Sequence, residues 1–400
     1  MAEPGHTSTD DTPLALHPLV YLQDGDEVTI GRRDTESYAI FPPDGAALVR
    51  RLQEGATPAQ AADWYEAEYG ERADVADVVE ALHELGFVRA EGEPEPVAAP
   101  VRWQRLGKAA FSPAAWTAYA LLVAWAAVSV VRDPGLLPTP GDLVFSHYYA
   151  VITLVLFVVA VPLIAVHEIF HALAGRRLGI RSRTRMSYRF YFLVVETSLD
   201  GLAGVERRKR YLPILAGMVA DVVLIALAVI TAGLTHGLTG RICLAVAFTT
   251  FIRLLWQFFL YLRTDIYVLI TTVLGCVDLH TTAVRMLANR VNRLLGRTDR
   301  LTDESLWHPV DRRAARWYSW LLPIGYAVSL TTFLWGVGPV FLAMTSASLD
   351  RFGTGHSTWV QLTDAAVFLV LTFGQIAFAL WLAARERLRS RRARLHHVIA

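Results

Sequence analysis

Residues 151–180 read VITLVLFVVAVPLIAVHEIFHALAGRRLGI, an apolar run that carries two histidines and a glutamate near its end. Helical spacing places His167 and His171 on one face, so both imidazoles can bind one metal ion. Glu168 follows directly and is placed to act as the general base for an attacking water molecule. The alternative is two helical histidines that only satisfy their own hydrogen bonds. Because ionisable groups inside an apolar helix cost several kcal/mol and are usually retained for function, the stretch predicts a catalytic metal site.

The composition of the whole chain is that of a membrane protein. Of its 400 residues, 54% are hydrophobic, and the mean hydropathy of +0.35 is too high for a soluble domain of this size. The net charge of +1 implies no general affinity for nucleic acid. Cys243 and Cys276 lie in apolar stretches and predict neither a disulfide framework nor a thiolate metal site. Residues 1–30 are polar, so no cleavable signal peptide is expected.

Apolar runs long enough to cross a bilayer define a predicted bundle of six spans. They lie at about residues 114–131, 148–174, 211–234, 242–262, 318–345 and 360–384. Strongly basic connections alternate with connections that carry a single arginine each. By the positive-inside rule, this alternation places both termini in the cytoplasm. The basic residues are nearly all arginine, which fits a GC-rich bacterial genome. The expected location is a bacterial inner membrane.

A histidine pair of this kind needs a third protein ligand, usually a carboxylate or another histidine. His167 lies about 19 residues from the outer start of the second span. The fourth span returns to the same depth about 20–24 residues after Ile242. The polar residue at that depth is Asp265, which is therefore the predicted third ligand.

Three other residues are rival ligands. Asp200 lies in a Leu-Asp-Gly sequence, but only about thirty residues after the histidines and with no span to return it to their depth. Asp278 and His280 lie in CVDLH, at the end of the segment that follows Asp265.

Three segments, HEIFHALAGRRLG, LAGMVADVV and LRTDIYVLITTVLG, resemble the membrane-embedded site-2 protease family of zinc metallopeptidases. The resemblance implies one zinc ion (Zn2+) per chain, held by His167, His171 and Asp265, with Glu168 as the catalytic base. The chain departs from the family where isoleucine follows the aspartate in place of glycine, and where an Asn-Pro pair is missing just upstream. Gln257 is the nearest amide to that missing pair. The expected substrate contacts are Gln257 and Tyr267, which follows Asp265 in the motif that the resemblance covers.

The N-terminal part of the chain has a different character. Residues 1–17 are polar and predicted to be disordered. Residues 18–91 contain three short strands (VYLQ, EVTIG and SYAIF), three helical patterns and a final strand-like FVRA, which together predict a winged-helix domain. A linker at 92–110 contains GEPEPVAAP and leads into the membrane domain at 111–400.

The winged-helix domain resembles the PqqD-like domains that capture the leader peptides of ribosomally made, modified peptides. The resemblance depends on the element order and on the stretches DGAALV and ELGFV. It implies that a leader adds as a strand beside SYAIF, at Tyr38 and Ile40, and packs on the third helix at Val79. DNA binding is not expected, because that helix carries acidic side chains that repel phosphates. The alternative is an inert cytosolic cap.

Four further features have weaker signals. Asp221 and Arg253 fall near the middle of the third and fourth spans, where an ion pair between them is expected to serve helix packing. The stretch 186–199 predicts strand, which either holds an extended substrate or forms an ordinary hairpin over the bundle. Residues 284–294 predict an interfacial amphipathic helix, and the terminal RERLRSRRAR predicts an anchor to anionic lipid.

These features predict a mainly α fold, a polytopic membrane helical bundle of about six spans with a small N-terminal α+β winged-helix domain. The predicted function is a membrane-embedded zinc metalloprotease that removes the leader from a precursor peptide. One alternative is regulated intramembrane proteolysis of a membrane-anchored signalling protein. Another is a non-catalytic peptide exporter or immunity protein on a protease scaffold. The expected partners are a precursor or leader peptide and the lipid bilayer.

Overall fold

The structure is a computed structural model, and it describes residues 12–32, 34–35, 37–90, 93, 100–189, 192–198, 200–353 and 357–399. The chain divides into two compact units. The first contains Met1–Gly107, Gly175–Arg183 and Ser198–Tyr211, and the second contains Lys108–Ala174, Thr184–Thr197 and Leu212–Ala400. The prediction of disorder for residues 1–11 and most of the predicted linker lie outside the described residues.

The described chain is mainly helical, with one three-stranded sheet and one strand pair. The strands are β1 (Val20–Asp24), β2 (Glu27–Arg32), β3 (Ser37–Phe41), β4 (Arg183–Arg189) and β5 (Phe192–Ser198). The first helices are α1 (Pro43–Gln53), α2 (Pro58–Tyr69), α3 (Val75–Glu84), α4 (Gln104–Ala110), α5 (Pro113–Arg132) and α6 (Tyr149–Arg177). The remaining helices are α7 (Arg207–Leu234), α8 (Leu238–Trp256), α9 (Asp265–Leu274), α10 (Leu279–Leu294), α11 (Pro309–Thr332), α12 (Gly338–Gly353) and α13 (Trp359–Ile399).

The N-terminal sheet and helices follow the predicted order. The sheet has the order β1-β2-β3, and both strand pairs are antiparallel. Val28 and Ile30 point from β2 into a core shared with Leu52, Leu82 and Phe87. The alternation of the strands and the helical spacing of α1 and α3 thus bury one common apolar face.

Residues 12–17 differ from the prediction of disorder. Leu16 forms a β-bridge with Val88, and the backbone N–H of His17 donates to the carbonyl of Phe87 at 2.9 Å. His17 is buried, so this segment forms part of the domain. Its apolar residues Leu14 and Leu16 pack on the domain core, which the polar composition around them obscured.

The other face of the N-terminal sheet is also covered. The turn Asp200–Gly204 belongs to the same compact unit and packs against all three strands. The Tyr38 ring lies against Gly31 of β2 and against Gly204 of the turn, where a methyl group at either glycine would overlap the ring. Two glycines are therefore needed for the ring to sit where it does.

Five helices are long and apolar enough to cross a membrane, in the part of the chain that the structure describes. They are α5, α6, α7, α8 and the segment Trp359–Leu382 of α13. They correspond to the predicted first to fourth and sixth spans, although the fourth has different bounds from those predicted. Leu121, Val131 and Phe157 are among the large apolar side chains that α5 and α6 leave exposed, as a lipid-facing surface requires.

The predicted fourth and fifth spans need correction. The fourth helix, α8, ends at Trp256 rather than near residue 262, and the chain turns before α9 begins. The predicted span 318–345 is divided between α11, a π-helical turn at Phe333–Val337 and α12. The helix α11 does not qualify as a span by itself, and its sequence begins with the charged and polar stretch PVDRRAARWYSW.

A bent helix pair provides the sixth candidate span. The axes of α9 and α10 differ by 89° across a short break, so the pair is either a broken span or a re-entrant loop. Asp311 of α11 is buried and accepts hydrogen bonds from the N–H groups of Val277 and Asp278 at 3.0 and 2.8 Å. The bend is thus held by a carboxylate that satisfies the exposed donors at the start of α10.

The predicted amphipathic helix forms the C-terminal part of α10. Ala283 and Met286 face a core shared with α11, whereas Val284, Val291 and Leu294 are exposed. The predicted strand at 186–199 forms the pair β4–β5, with residues 190, 191 and 199 outside the described chain. Whether this pair contacts a substrate stays a prediction.

Small residues bring α6, α7 and α8 close together. Ala174 of α6 and Ala216 of α7 belong to one core cluster, and Ala245 of α8 belongs to another with Ile152 of α6. Residues without bulky side chains allow helix backbones to approach closely in a membrane. This approach brings polar side chains from three helices to one place inside the second unit.

Candidate metal centre

Both predicted histidine ligands face the same way from α6. His167 and His171 are buried, and their Nε2 atoms lie 3.1 Å apart. The Nδ1 of His171 lies 2.8 Å from the carbonyl oxygen of Pro213, which can only accept. The Nδ1 of His167 lies 3.0 Å from a carboxylate oxygen of Asp221. Each Nδ1 therefore donates, and in the neutral imidazole, which is the form that binds a metal ion, each Nε2 carries a lone pair.

Asp265 reaches the two histidines from the first turn of α9. Its Oδ2 lies 3.3 Å from the Nε2 of His167 and 3.3 Å from the Nε2 of His171. The turn before it is unusual, because Arg263 adopts a left-handed φ of 57°. Gln257 holds this turn: its side-chain oxygen accepts the backbone N–H of Asp265 at 3.0 Å. Gln257 thus caps α9, and its predicted substrate contact is untested.

The three residues present a donor set that fits a divalent metal ion. Their ligand atoms all lie within 4.8 Å of one another. The Oδ2 of Asp265 is buried and has no hydrogen-bond partner, although it faces two imidazoles whose nearest atoms carry lone pairs. Three acceptors facing one another repel unless a cation lies between them. Ligands at about 2.0–2.2 Å from a tetrahedral ion lie roughly 3.3–3.6 Å apart, close to the distances seen here.

Gly217 of α7 is a site residue that the sequence did not single out. A methyl group at this position would overlap the Nε2 atoms of both His167 and His171. The backbone of α7 therefore passes directly beside the candidate metal position, and only glycine leaves that space open. Gly217 lies four residues before Asp221, so the two share a helix face, and this spacing was the available signal.

The predicted ion pair between Asp221 and Arg253 is confirmed. The two guanidinium nitrogens Nη2 and Nε contact the two carboxylate oxygens of the fully buried Asp221, with Nε 3.3 Å from Oδ2. The interpretation as helix packing alone was incomplete, because the same carboxylate accepts from His167. The depth argument placed both charges near the midplane but gave no reason to connect them with the histidine.

The other predicted site residues occupy distinct positions. Glu168 is half-buried on α6 and is not one of the three clustered ligands. Tyr267 packs its ring against Tyr318, with ring centroids 5.5 Å apart. The catalytic role of Glu168 and the substrate contact of Tyr267 stay predictions.

The rival ligands lie elsewhere in the described chain. Asp278 caps α10 by accepting the backbone N–H of Thr281, and the Nδ1 of His280 lies 3.3 Å from the hydroxyl of Tyr318. Asp200 begins the turn that belongs to the first unit, and its side chain lies outside the description. Neither Asp278 nor His280 is in the cluster with the histidines.

The predicted leader-binding residues lie on two elements of the first unit. Tyr38 and Ile40 belong to β3, which has β2 as its only hydrogen-bonded neighbour in the described sheet. Ile40 is exposed, Tyr38 is partly covered by Gly204, and Val79 of α3 packs at the edge of the core. The acidic residues of α3 and of its N-cap are all exposed: Asp74, Asp77, Glu80 and Glu84.

Comparisons of the chain with protein-family models, with curated proteins and with solved structures find no match. Function must therefore be inferred from the site itself.

Proposed function

We propose that this protein is a membrane-embedded zinc metalloprotease that removes the leader from a ribosomally made precursor peptide. The observation that carries the proposal is the convergence of His167, His171 and Asp265 around an unpartnered, buried carboxylate oxygen. The two histidines come from a helix apolar enough to span a membrane, and the sequence between them supplies a glutamate.

The chain's own residues divide the chemistry between them. When bound, a zinc ion would supply a Lewis acid that activates water for attack on a peptide carbonyl. The carboxylate of Glu168 would take the proton from that water and deliver it to the leaving amine. The carbonyl of Pro213 and the carboxylate of Asp221 hold the two imidazoles in the tautomer that leaves both Nε2 atoms free.

The membrane arrangement belongs to the same proposal. The four helices α5 to α8 would cross a bacterial inner membrane in alternating directions, with the basic segment at the start of α7 in the cytoplasm. The segment α11–α12 would cross outward and α13 inward, which places both termini in the cytoplasm. The bent pair α9–α10 would then enter the membrane from the cytoplasmic side and leave on that side.

The substrate class is inferred from the N-terminal domain. β3 offers backbone N–H and C=O groups along one edge, and a peptide strand can pair with them. The exposed carboxylates of α3 disfavour nucleic acid as the ligand. A peptide captured here would be held in the cytoplasm while a neighbouring bond is cut.

The direct test uses the full chain, co-expressed with short open reading frames from its own genomic neighbourhood, and detects shortened peptides by mass spectrometry. Wild-type protein should produce a defined fragment, whereas Glu168→Gln should produce none and keep its zinc. Ile40→Asp should slow cleavage of the same peptide by tenfold or more without changing the zinc content. Cleavage by Glu168→Gln at the wild-type rate would contradict the proposed mechanism.

The same experiment separates the rival substrate class. Cleavage of a co-expressed membrane-anchored anti-sigma factor, with no dependence on Ile40, would favour regulated intramembrane proteolysis over leader removal. Zinc binding without cleavage of either substrate class would favour a non-catalytic protein.

A further inference from the structure

The carboxylate of Asp221 contacts both His167 and Arg253. Its Oδ2 accepts from the Nδ1 of His167 at 3.0 Å, while its two oxygens also contact the guanidinium of Arg253. It is fully buried inside the membrane bundle, where an unpaired carboxylate is expensive. A residue needed only to join α7 to α8 would have no reason to touch the histidine of α6.

We infer that Asp221 is a positioning residue for the metal ligand His167, and that Arg253 holds Asp221 in place. This inference rests on the proposed metal site. A carboxylate that accepts from Nδ1 fixes the ring orientation, keeps the proton on Nδ1 and makes Nε2 a stronger donor to a metal ion. The guanidinium of Arg253 contacts both oxygens of the Asp221 carboxylate through two nitrogens. This paired contact fixes the orientation of the carboxylate.

The two histidines are thus supported unequally. His171 donates to a neutral backbone carbonyl, whereas His167 donates to a carboxylate. Of the two, His167 is therefore expected to bind the metal ion more strongly, and its support can be removed by changing one side chain. Removing the support for His171 would require a change in the backbone at Pro213.

The chain contains a matched control for the effect of breaking a buried ion pair. Asp364 of α13 is buried and pairs with Arg351 of α12 at 2.7 Å. It also accepts the N–H groups of Tyr149 and Ala150 at the start of α6. Like Asp221, it joins helices through an arginine, but it does not contact either histidine.

The test measures thermal stability of the metal-free full chain in detergent, and separately the affinity for Zn2+ and Co2+ by competition with a chromophoric chelator. Asp221→Asn should bind Zn2+ 10- to 100-fold more weakly than wild type and change the visible spectrum of the Co2+ form. The double variant Asp221→Leu/Arg253→Leu should be more stable than either single leucine variant, because no buried charge is stranded, yet should keep the weak Zn2+ affinity. Asp364→Asn should lower the thermal stability but leave the Zn2+ affinity within threefold of the wild-type value.

The outcomes separate this inference from the proposed function. If wild-type protein binds one Zn2+ and Asp265→Ala loses it, while both Asp221 variants bind as wild type does, then Asp221 serves packing alone and the inference is wrong. If wild-type protein binds no Zn2+ at stoichiometric concentrations, the metal site itself fails, and the inference fails with it. A double variant that regains stability and wild-type affinity together would also overturn the inference.

Discussion

The buried oxygen Asp265 Oδ2 is the single atom on which the metal proposal depends most. It has no hydrogen-bond partner, and it lies 3.3 Å from two imidazole nitrogens that carry lone pairs. Leaving a buried carboxylate oxygen unsatisfied costs about 1–3 kcal/mol or more, so such atoms are uncommon without a reason. A bound cation supplies that reason and accounts for the neighbouring lone pairs as well.

Gly217 allows a second test at the same scale. Gly217→Ala should lower Zn2+ affinity by tenfold or more, because the added methyl group overlaps both Nε2 atoms. The matched control is Gly374→Ala in α13, where the methyl group meets nothing within 4 Å. Alanine generally favours a helix over glycine by about 1 kcal/mol, so neither change should melt its helix. Wild-type affinity in Gly217→Ala, measured by chelator competition, would mean that the metal position lies elsewhere.

Outside the membrane helices, Asp34 gives a pH-dependent prediction. The Arg32 guanidinium holds the pKa of the Asp34 carboxyl below its ordinary value of 3.8, through hydrogen bonds of 3.1 and 2.5 Å. Arg32 is buried and also donates to the carbonyl of Gly86. Because the folded-state pKa is lowered, the stabilisation is complete above about pH 4 and is lost as the pH falls through the lowered value.

Hydrogen–deuterium exchange of the full chain should show this loss. The protection factors of amides in β2 and at the end of α3, which already allow for the effect of pH on intrinsic exchange, should fall only below about pH 4, and Asp34→Asn should show the same loss of protection at pH 7. Asp77→Asn on the exposed face of α3 serves as the control and should leave protection in β2 unchanged. Equal protection in wild type and Asp34→Asn at neutral pH would contradict the role given to the ion pair.

At the scale of elements, the ring of Tyr38 fixes how the turn Asp200–Gly204 packs on the sheet. Gly204→Val should loosen this packing, because its side chain would overlap the ring. Tyr38→Ala should relieve the overlap, so Gly204→Val/Tyr38→Ala should protect residues 200–206 from exchange better than Gly204→Val alone. A double variant no better protected than Gly204→Val would show that the ring is not the obstacle.

The same contact shows what the sequence could and could not predict. Alternation and helical spacing predicted β1 to β3 and α1 to α3, because each of these elements buries its apolar face locally. The packing of a turn from residues 200–204 on Tyr38 has no local signal, since it depends on two glycines far apart in the chain. Tyr38 therefore looked like a free position on an edge strand.

The clustering of His167, His171 and Asp265 was easier to predict from the sequence than the elements that carry Asp265. Depth counting placed Asp265 with the histidines, and the structure brings the three together. The count assumed one continuous helix to residue 262, whereas α8 ends at Trp256 and a capped turn leads into α9. A hydropathy pattern does not distinguish this turn from a continuing helix, because Phe258, Phe259 and Leu260 are as apolar as the span before them.

For the whole molecule, the proposed topology depends on which of the last segments cross the membrane. We expect α11–α12 to cross and the bent pair α9–α10 to return to its own side, since the basic residues around 285–316 favour the cytoplasm. This places Asp299 inside and both Leu137 and Gly353 outside.

Single cysteines in a background without Cys243 and Cys276 test the topology. In intact cells, a membrane-impermeant thiol reagent should label Leu137→Cys and Gly353→Cys, and should label Asp299→Cys only after the membrane is opened. Leu137 is exposed, and a side chain at Gly353 meets nothing within 4 Å, so steric access is not limiting. Labelling of Asp299→Cys and Gly353→Cys from the same side would show that α11–α12 does not cross.

The zinc content of the purified full chain tests the central claim most directly, by inductively coupled plasma mass spectrometry on wild type and three aspartate variants. We predict about one zinc ion per chain in wild type, in Asp200→Ala and in Asp278→Ala, because Asp278 is not among the clustered ligands and no span returns Asp200 to their depth. Asp265→Ala should retain well under a third of that amount while remaining folded by circular dichroism. Wild-type zinc content in Asp265→Ala, or loss of zinc in Asp200→Ala or Asp278→Ala alone, would contradict the proposed metal centre.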